Sequence, residues 1–216
     1  MKRKIRTPYF EIGTKNYIYG DKVLEYAKAA DAAAEKYDID VLFICPAVEI
    51  RNVVQNTKNL IVLAPYMDTL RPGRGMADVL PEALKAAGAV GVVVNHCEKP
   101  MSLPQIKATI DRANEIDFLV FACADTVAEA KAIAQLHPDI INPEPTELIG
   151  GSGGGVSDMC NAVYCRAHNR PQVWRCFGWR AIAGTEKYGY GCMDGAVVPR
   201  PTVVDSTYGI YRMAKL

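Results

Sequence analysis

Three ionisable residues stand directly behind short apolar runs: Lys15 behind Tyr9-Phe-Glu-Ile-Gly, His96 behind Val92-Val-Val-Asn and Glu144 behind Ile140-Ile-Asn-Pro. A carboxylate can take a proton from carbon and return it, an imidazole can polarise a carbonyl, and an ammonium can offset developing negative charge. Taken singly, none of the three is diagnostic. A lysine or glutamate at a strand end is usually a solvated loop residue, and Glu144 between Pro143 and Pro145 also reads as a rigid turn. His137 precedes a proline at the end of an expected helix, where a cation suits the helix dipole, and His168 lies in a stretch of different composition. The seven cysteines form no CxxC pair, so neither a zinc site nor a disulfide framework is expected and the thiols read as reduced. Cys97 reads as a small buried residue rather than a nucleophile, and Gly73-Arg-Gly75 as an exposed turn rather than an anion loop.

The elements that must carry these residues alternate between short apolar runs and stretches of helical period. A first strand is expected over residues 8 to 14, then a helix capped by Asp21 and running through Tyr37, with Val23, Leu24, Ala27, Ala30 and Ala34 on one buried face. Val41-Leu-Phe-Ile, Leu60-Ile-Val-Leu, Val90-Gly-Val-Val-Val, Phe118-Leu-Val-Phe and the run opening at Ile140 supply further strands. Helices are expected between them near 46 to 56, 78 to 87, 103 to 115 and 126 to 136. Nearly continuous apolar strands indicate a parallel sheet covered on both faces. Such units suit a (β/α)8 barrel or an open doubly wound sheet, and neither GxGxxG nor a P-loop follows the first strand to favour the latter. In both architectures chemistry sits at the carboxyl ends of the strands.

The run Pro81-Glu-Ala-Leu-Lys-Ala-Ala-Gly-Ala-Val-Gly-Val-Val-Val-Asn-His-Cys-Glu resembles the segment of triosephosphate isomerases in which a P-E-M-L-K-like helix leads to strand four and an N/G-H-S-E motif. Glu144-Pro-Thr-Glu-Leu-Ile-Gly is similar to the family's sixth-strand E-P-x-x-x-I-G, and Tyr9-Phe-Glu-Ile-Gly-Thr-Lys resembles its first strand, which ends in N-x-K. Order and spacing agree from residue 8 to about 152, and the compact units look most like the short archaeal type.

The resemblance implies a single α/β domain, a (β/α)8 TIM barrel, and its loss after Gly155 leads us to expect the last two βα units to be incomplete or irregular. It implies interconversion of dihydroxyacetone phosphate and glyceraldehyde 3-phosphate, within glycolysis and gluconeogenesis in the cytoplasm. The family's known division of roles makes Glu144 the base, His96 a neutral imidazole that polarises the carbonyl, and Lys15 the cation near phosphate and oxyanion. Glu98 would support them, and Gly13, Gly150 and Gly151 fall at substrate and lid positions. The partner implied is a small phosphosugar, with no metal or organic cofactor. Arg71 to Met76 corresponds to the third loop, which in the family packs into a neighbouring subunit, so a homodimer or homotetramer is implied.

Four departures stand out: Gly13 for the family asparagine, Pro65-Tyr66 where short-type relatives often carry Gln-His, Cys97 for serine, and a long glycine run after Gly150. They keep open a catalytically dead TIM-barrel paralogue, and because Lys15, His96 and Glu144 would be unchanged, an isomerase of another small phosphosugar, such as a tetrulose phosphate, stays open as well.

Composition sets the outer limits. Lys and Arg total 25 against 24 Asp and Glu, a balance unlike the basic excess of nucleic-acid readers, so no nucleic-acid partner is expected. No apolar run is long enough to span a membrane, and Met1-Lys-Arg-Lys-Ile lacks an apolar segment behind its charges, so neither membrane span nor signal peptide is expected. Character changes abruptly near residue 150. Beyond it lie both tryptophans and the cysteines at 160, 165, 176 and 192, while leucine is confined to Leu216. Ala183-Gly-Thr and Asp194-Gly-Ala-Val-Val are the nearest counterparts of the family's phosphate turns. Residues 1–152 therefore read as family-like and 153–216 as divergent or frame-shifted.

Overall fold

The computed structural model describes residues 1–6 and 9–143, together with the backbone of Gly178–Ile182. Strands and helices alternate: β1 (Tyr9–Gly13), α1 (Asp21–Tyr37), β2 (Asp40–Ile44), α2 (Ile50–Asn56), β3 (Leu60–Ala64), α3 (Pro81–Ala87), β4 (Gly91–Val94), α4 (Leu103–Glu115), β5 (Leu119–Ala124), α5 (Val127–Ala134), β6 (Ile140–Pro143) and β7 (Gly178–Ile182). They fall into two compact units. The first holds residues 3–65, 82–90 and β7; the second holds residues 1–2, 66–81 and 91–143.

In the first unit β1 pairs in parallel with β2 on one side and with β7 on the other, and β2 pairs in parallel with β3. Every residue of β2 is buried, as expected for a strand covered on both faces. Its one charged member, Asp40, is satisfied by Arg6, whose backbone N–H donates to Oδ2 at 2.7 Å and whose Nε donates to Oδ1 at 2.9 Å. Without those donors a buried carboxylate would be costly. Helix α1 buries Val23, Ala27, Ala30, Ala33 and Ala34, a face of small side chains that lets a helix lie close to its neighbours. Two expectations are corrected. Leu24 is only half-buried, and Asp21 is not the cap: Gly20 holds that position at φ 61°, and Asp21 stands in the first turn, where its charge suits the helix dipole. The helix expected from residue 46 begins instead as a 3₁₀ turn, Ala47–Glu49, closed by the Glu49 N–H on the Pro46 carbonyl, and becomes α2 at Ile50.

In the second unit β5 pairs in parallel with β4 and with β6. All six residues of β5 are buried, and α4 adds Ile106, Thr109, Ile110 and Ala113 to the core. The start of α4 is tied by Gln105 Oε1, which accepts from both the backbone N–H and the hydroxyl of Ser102. The helix expected near residue 78 starts at Pro81, because Val79 is engaged elsewhere. Its N–H donates to Asp68 Oδ2 at 2.7 Å and its carbonyl accepts from the Asp68 N–H at 3.0 Å. Residues 71–78 between these anchors are exposed, as expected for the Gly73-Arg-Gly75 turn.

Strand β7 has no counterpart among the strands expected from the sequence. It runs in register with β1, Gly178 opposite Tyr9 and Ile182 opposite Gly13. The candidate phosphate turns at 183–185 and 194–198 lie outside the described residues, as does the remainder of 153–216.

Candidate active site

Lys15 and Gly13 belong to the first unit, His96 and Glu98 to the second, while Glu144, Gly150 and Gly151 lie outside the described residues.

At the carboxyl end of β1 the chain turns sharply. Lys15, half-buried, adopts φ 48°, a left-handed conformation that a non-glycine residue enters only at a cost of about 1–3 kcal/mol. The turn is held by fully buried Thr14, whose N–H donates to the Ile44 carbonyl at 2.9 Å and whose hydroxyl donates to the Lys15 carbonyl at 3.3 Å. Alternation along the strand puts Glu11 and Gly13 on one face, and Lys15 stands in the turn beyond it. Glu11 is buried, and its Oε1 lies only 3.1 Å from where a Cβ on Gly13 would stand. The Glu11 carboxyl thus leans into room that a side chain at 13 would need. Its two-residue spacing from Gly13 within the strand was the available signal for this residue.

At the carboxyl end of β4, His96 is mostly buried, its side chain 16% exposed. Its Nδ1 accepts the backbone N–H of Glu98 at 3.1 Å. A ring nitrogen that accepts cannot carry the proton, so this contact selects the neutral tautomer protonated on Nε2. The Glu98 carboxylate lies 4.0 Å from Nδ1 and would favour an imidazolium, but it is 56% exposed and screened, and the backbone donor is nearer. Cys97 Sγ sits 3.7 Å from the same nitrogen, and Cys97 is half-buried rather than buried as expected.

Asn95 carries no role in the sequence reading, yet it is the buried residue from which the His96 segment hangs. Its Nδ2 donates to the Cys123 carbonyl at 3.1 Å and to Glu129 Oε1 at 2.9 Å, and its Oδ1 accepts the Met101 N–H at 2.9 Å. Nearby, the Tyr66 hydroxyl donates to Asp68 Oδ1 at 2.6 Å, which with partial burial pushes the phenol up to about 12, and Lys99 Nζ lies 4.8 Å from the Tyr66 ring centre. No group of three or more His, Cys, Asp or Glu among the described residues could hold a metal ion.

The first unit thus carries a lysine at the end of β1, and the second a neutral N–H donor at the end of β4. A family model described as triosephosphate isomerase matches residues 11–163. The triosephosphate isomerase of Methanocaldococcus jannaschii is 36% identical over 137 residues, covering 63% of this chain and 62% of that protein. That of Sulfurisphaera tokodaii is 32% identical over 182 residues, covering 83% of this chain and 78% of that protein. Against the relatives from M. jannaschii, Methanobacterium bryantii and Methanothermus fervidus, the matched part spans between 59% and 64% of their length. The crystal structure of the triosephosphate isomerase from Bartonella henselae superposes with a TM-score of 0.63 at 18% identity, over 81% of this chain and 82% of that one, a likeness of fold alone. The alternating parallel βα units are those of the TIM-barrel fold, and the chain belongs to the triosephosphate isomerase family.

Proposed function

We propose that the protein is a triosephosphate isomerase that interconverts dihydroxyacetone phosphate and glyceraldehyde 3-phosphate. The observation that carries this reading is the Glu98 N–H on His96 Nδ1, which leaves Nε2–H as a neutral donor. Shifting a carbonyl to the adjacent carbon needs a base, a donor to the enediolate oxygens and a cation near the phosphate. Glu144 takes the proton from the hydroxymethyl carbon and returns it to the neighbouring carbon. The electron pair released from the C–H bond flows into the enediolate, whose oxygen His96 Nε2–H stabilises. Lys15 offsets the negative charge. No residue in this scheme requires a metal or organic cofactor.

By the same family reading Gly150 and Gly151 belong to the lid, and residues 71–76 pack against a second copy in a homodimer or homotetramer. A cytoplasmic setting within glycolysis and gluconeogenesis goes with that substrate. No helix among the described residues is long and apolar enough to cross a membrane.

A coupled assay on both triose phosphates and a panel of small phosphosugars tests the assignment. Turnover of the trioses should vanish in Glu144→Ala. In Glu144→Asp kcat should fall roughly 100-fold or more with KM little changed, because retracting the carboxylate spoils proton transfer more than binding. Preferred turnover of a tetrulose phosphate would reassign the substrate, and a folded chain without turnover on any of them would make it a dead paralogue.

A further inference from the structure

We propose that Asn95 and Glu129 are positioning residues for His96, a clamp that fixes where its Nε2–H points. The inference rests on the reading of His96 as the donor to substrate oxygen. Immediately after β4 the chain enters a left-handed turn at Asn95, φ 58°, a conformation asparagine tolerates better than most residues. Asn95 is buried, and its amide uses both donors and its acceptor on three separate segments. Only one orientation of the amide works, since the flipped one would set its oxygen against the Cys123 carbonyl and the Glu129 carboxylate.

Glu129 is itself anchored. Its Oε2 accepts the Asp125 N–H at 2.6 Å, and its own N–H donates to Thr126 Oγ1, the cap of α5. The carboxylate therefore joins the start of α5 to the end of β4.

The bond from the Met101 N–H to Asn95 Oδ1 closes the segment 95–101 at its two ends. Inside it lie the His96 ring and the Glu98 N–H that sets its tautomer, and the Lys99 N–H donates to the His96 carbonyl at 2.7 Å. Releasing Asn95 leaves the ring and the N–H that orients it without a common frame. A donor to a developing oxyanion must be held to within about half an ångström, so such release is felt in kcat before KM.

The test exchanges the polarity of the pair. Asn95→Asp faces one carboxylate with another, and Glu129→Gln must turn its new NH2 toward either the Asn95 amide or the Asp125 N–H. The double variant N95D/E129Q restores complementarity on the α5 side alone: the amide introduced there donates to the carboxylate introduced after β4 and accepts from the Asp125 N–H, while the Cys123 carbonyl faces an oxygen in both Asn95→Asp and the double variant, so their difference reads the pair. Kinetics are read beside the imidazole ¹⁵N resonances of His96, assigned by their loss in His96→Gln, with urea midpoints checking that each variant is folded. Asn95→Asp should lower kcat roughly 100-fold with KM within about threefold, and should move the His96 ring nitrogens away from the pure Nε2–H pattern. The double variant should recover about tenfold of kcat and move the ring signature back toward that of the wild type, the lost Cys123 bond keeping recovery partial. Should Asn95→Asp not fold, Asn95→Gly keeps the left-handed turn while deleting the anchors, and carries the same expectation.

A folded Asn95→Asp or Asn95→Gly with wild-type kcat and ring signature would overturn the proposal, as would a double variant no better than Asn95→Asp. Failure of the functional reading looks different. His96→Gln would then keep wild-type turnover, or the wild-type protein would turn over no phosphosugar, and the ring nitrogens would still decide whether Asn95 and Glu129 hold the imidazole.

Discussion

Cys97 stands where the family has serine, 3.7 Å from the nitrogen of His96 that must remain an acceptor. Half-buried, it is more accessible than Cys45, 1% exposed, or Cys123, 4% exposed, and burial, with a smaller contribution from Glu49, pushes the Cys45 thiol up to about 12. Iodoacetamide at pH 8 should therefore label Cys97 well before Cys45 and Cys123, read by peptide mapping. Loss of turnover should track that label, because the adduct crowds the Glu98 N–H away from Nδ1. Cys97→Ser should keep its activity under the same treatment. Labelling of Cys45 as fast as Cys97, or a fully labelled and fully active protein, would refute this account. The sequence was informative about residue types at strand ends and silent about their support. Lys15, His96 and Glu144 are conspicuous because each follows an apolar run. Asn95 is not, because the partners that give it meaning lie 28 and 34 residues further along the chain.

The same left-handed device recurs at helix ends. Asp38, Gly88 and Asp117, each just past α1, α3 or α4, have positive φ and return their N–H groups to carbonyls of the last turn. At each the following N–H reaches one carbonyl further back, the paired closure of a Schellman motif, and at Gly88 the two bonds are Gly88 N–H to the Lys85 carbonyl at 3.0 Å and Ala89 N–H to the Leu84 carbonyl at 3.1 Å. Gly88 also has φ 102°, and a Cβ there would stand 2.6 Å from Val54 Cγ1. Gly88→Ala should thus incur two penalties, about 1 kcal/mol of backbone strain and about 1–3 kcal/mol of overpacking, measured as a lower urea midpoint. Val54→Ala in the same background should relieve the second penalty but not the first, and an unchanged midpoint in Gly88→Ala would refute both. Helix stripes and buried strands were legible because they repeat within one element. Starts were less so: α3 begins at Pro81 and not near 78 because the Asp68–Val79 bridge claims the residues before it, a pairing across a loop that local patterning does not encode.

Over the whole chain the family likeness and the composition part company after residue 150. The family model ends at residue 163, whereas the S. tokodaii match, at 182 residues, is too long to fit within 1–152 and so runs into the altered stretch. In the family, phosphate is held by amide-rich turns after the last two strands, and the sequence beyond Gly155 carries neither turn in recognisable form. Each hydrogen bond to a charged group is worth about 1.5–3 kcal/mol, so loss of even one donor weakens the grip on the dianion roughly tenfold or more. We therefore expect the KM for either triose phosphate, and the inhibition constant of inorganic phosphate, to exceed those of the M. jannaschii enzyme measured alongside by at least about tenfold. The coding DNA tells the two origins of 153–216 apart. In a displaced frame, a shift near codon 153 should restore both turns, and the chain expressed from the restored frame should regain phosphate affinity. An in-frame gene whose other frames meet early stop codons would assign the stretch to divergence, and near-normal phosphate affinity with it would mean that this sequence grips the dianion by other residues, overturning the expectation.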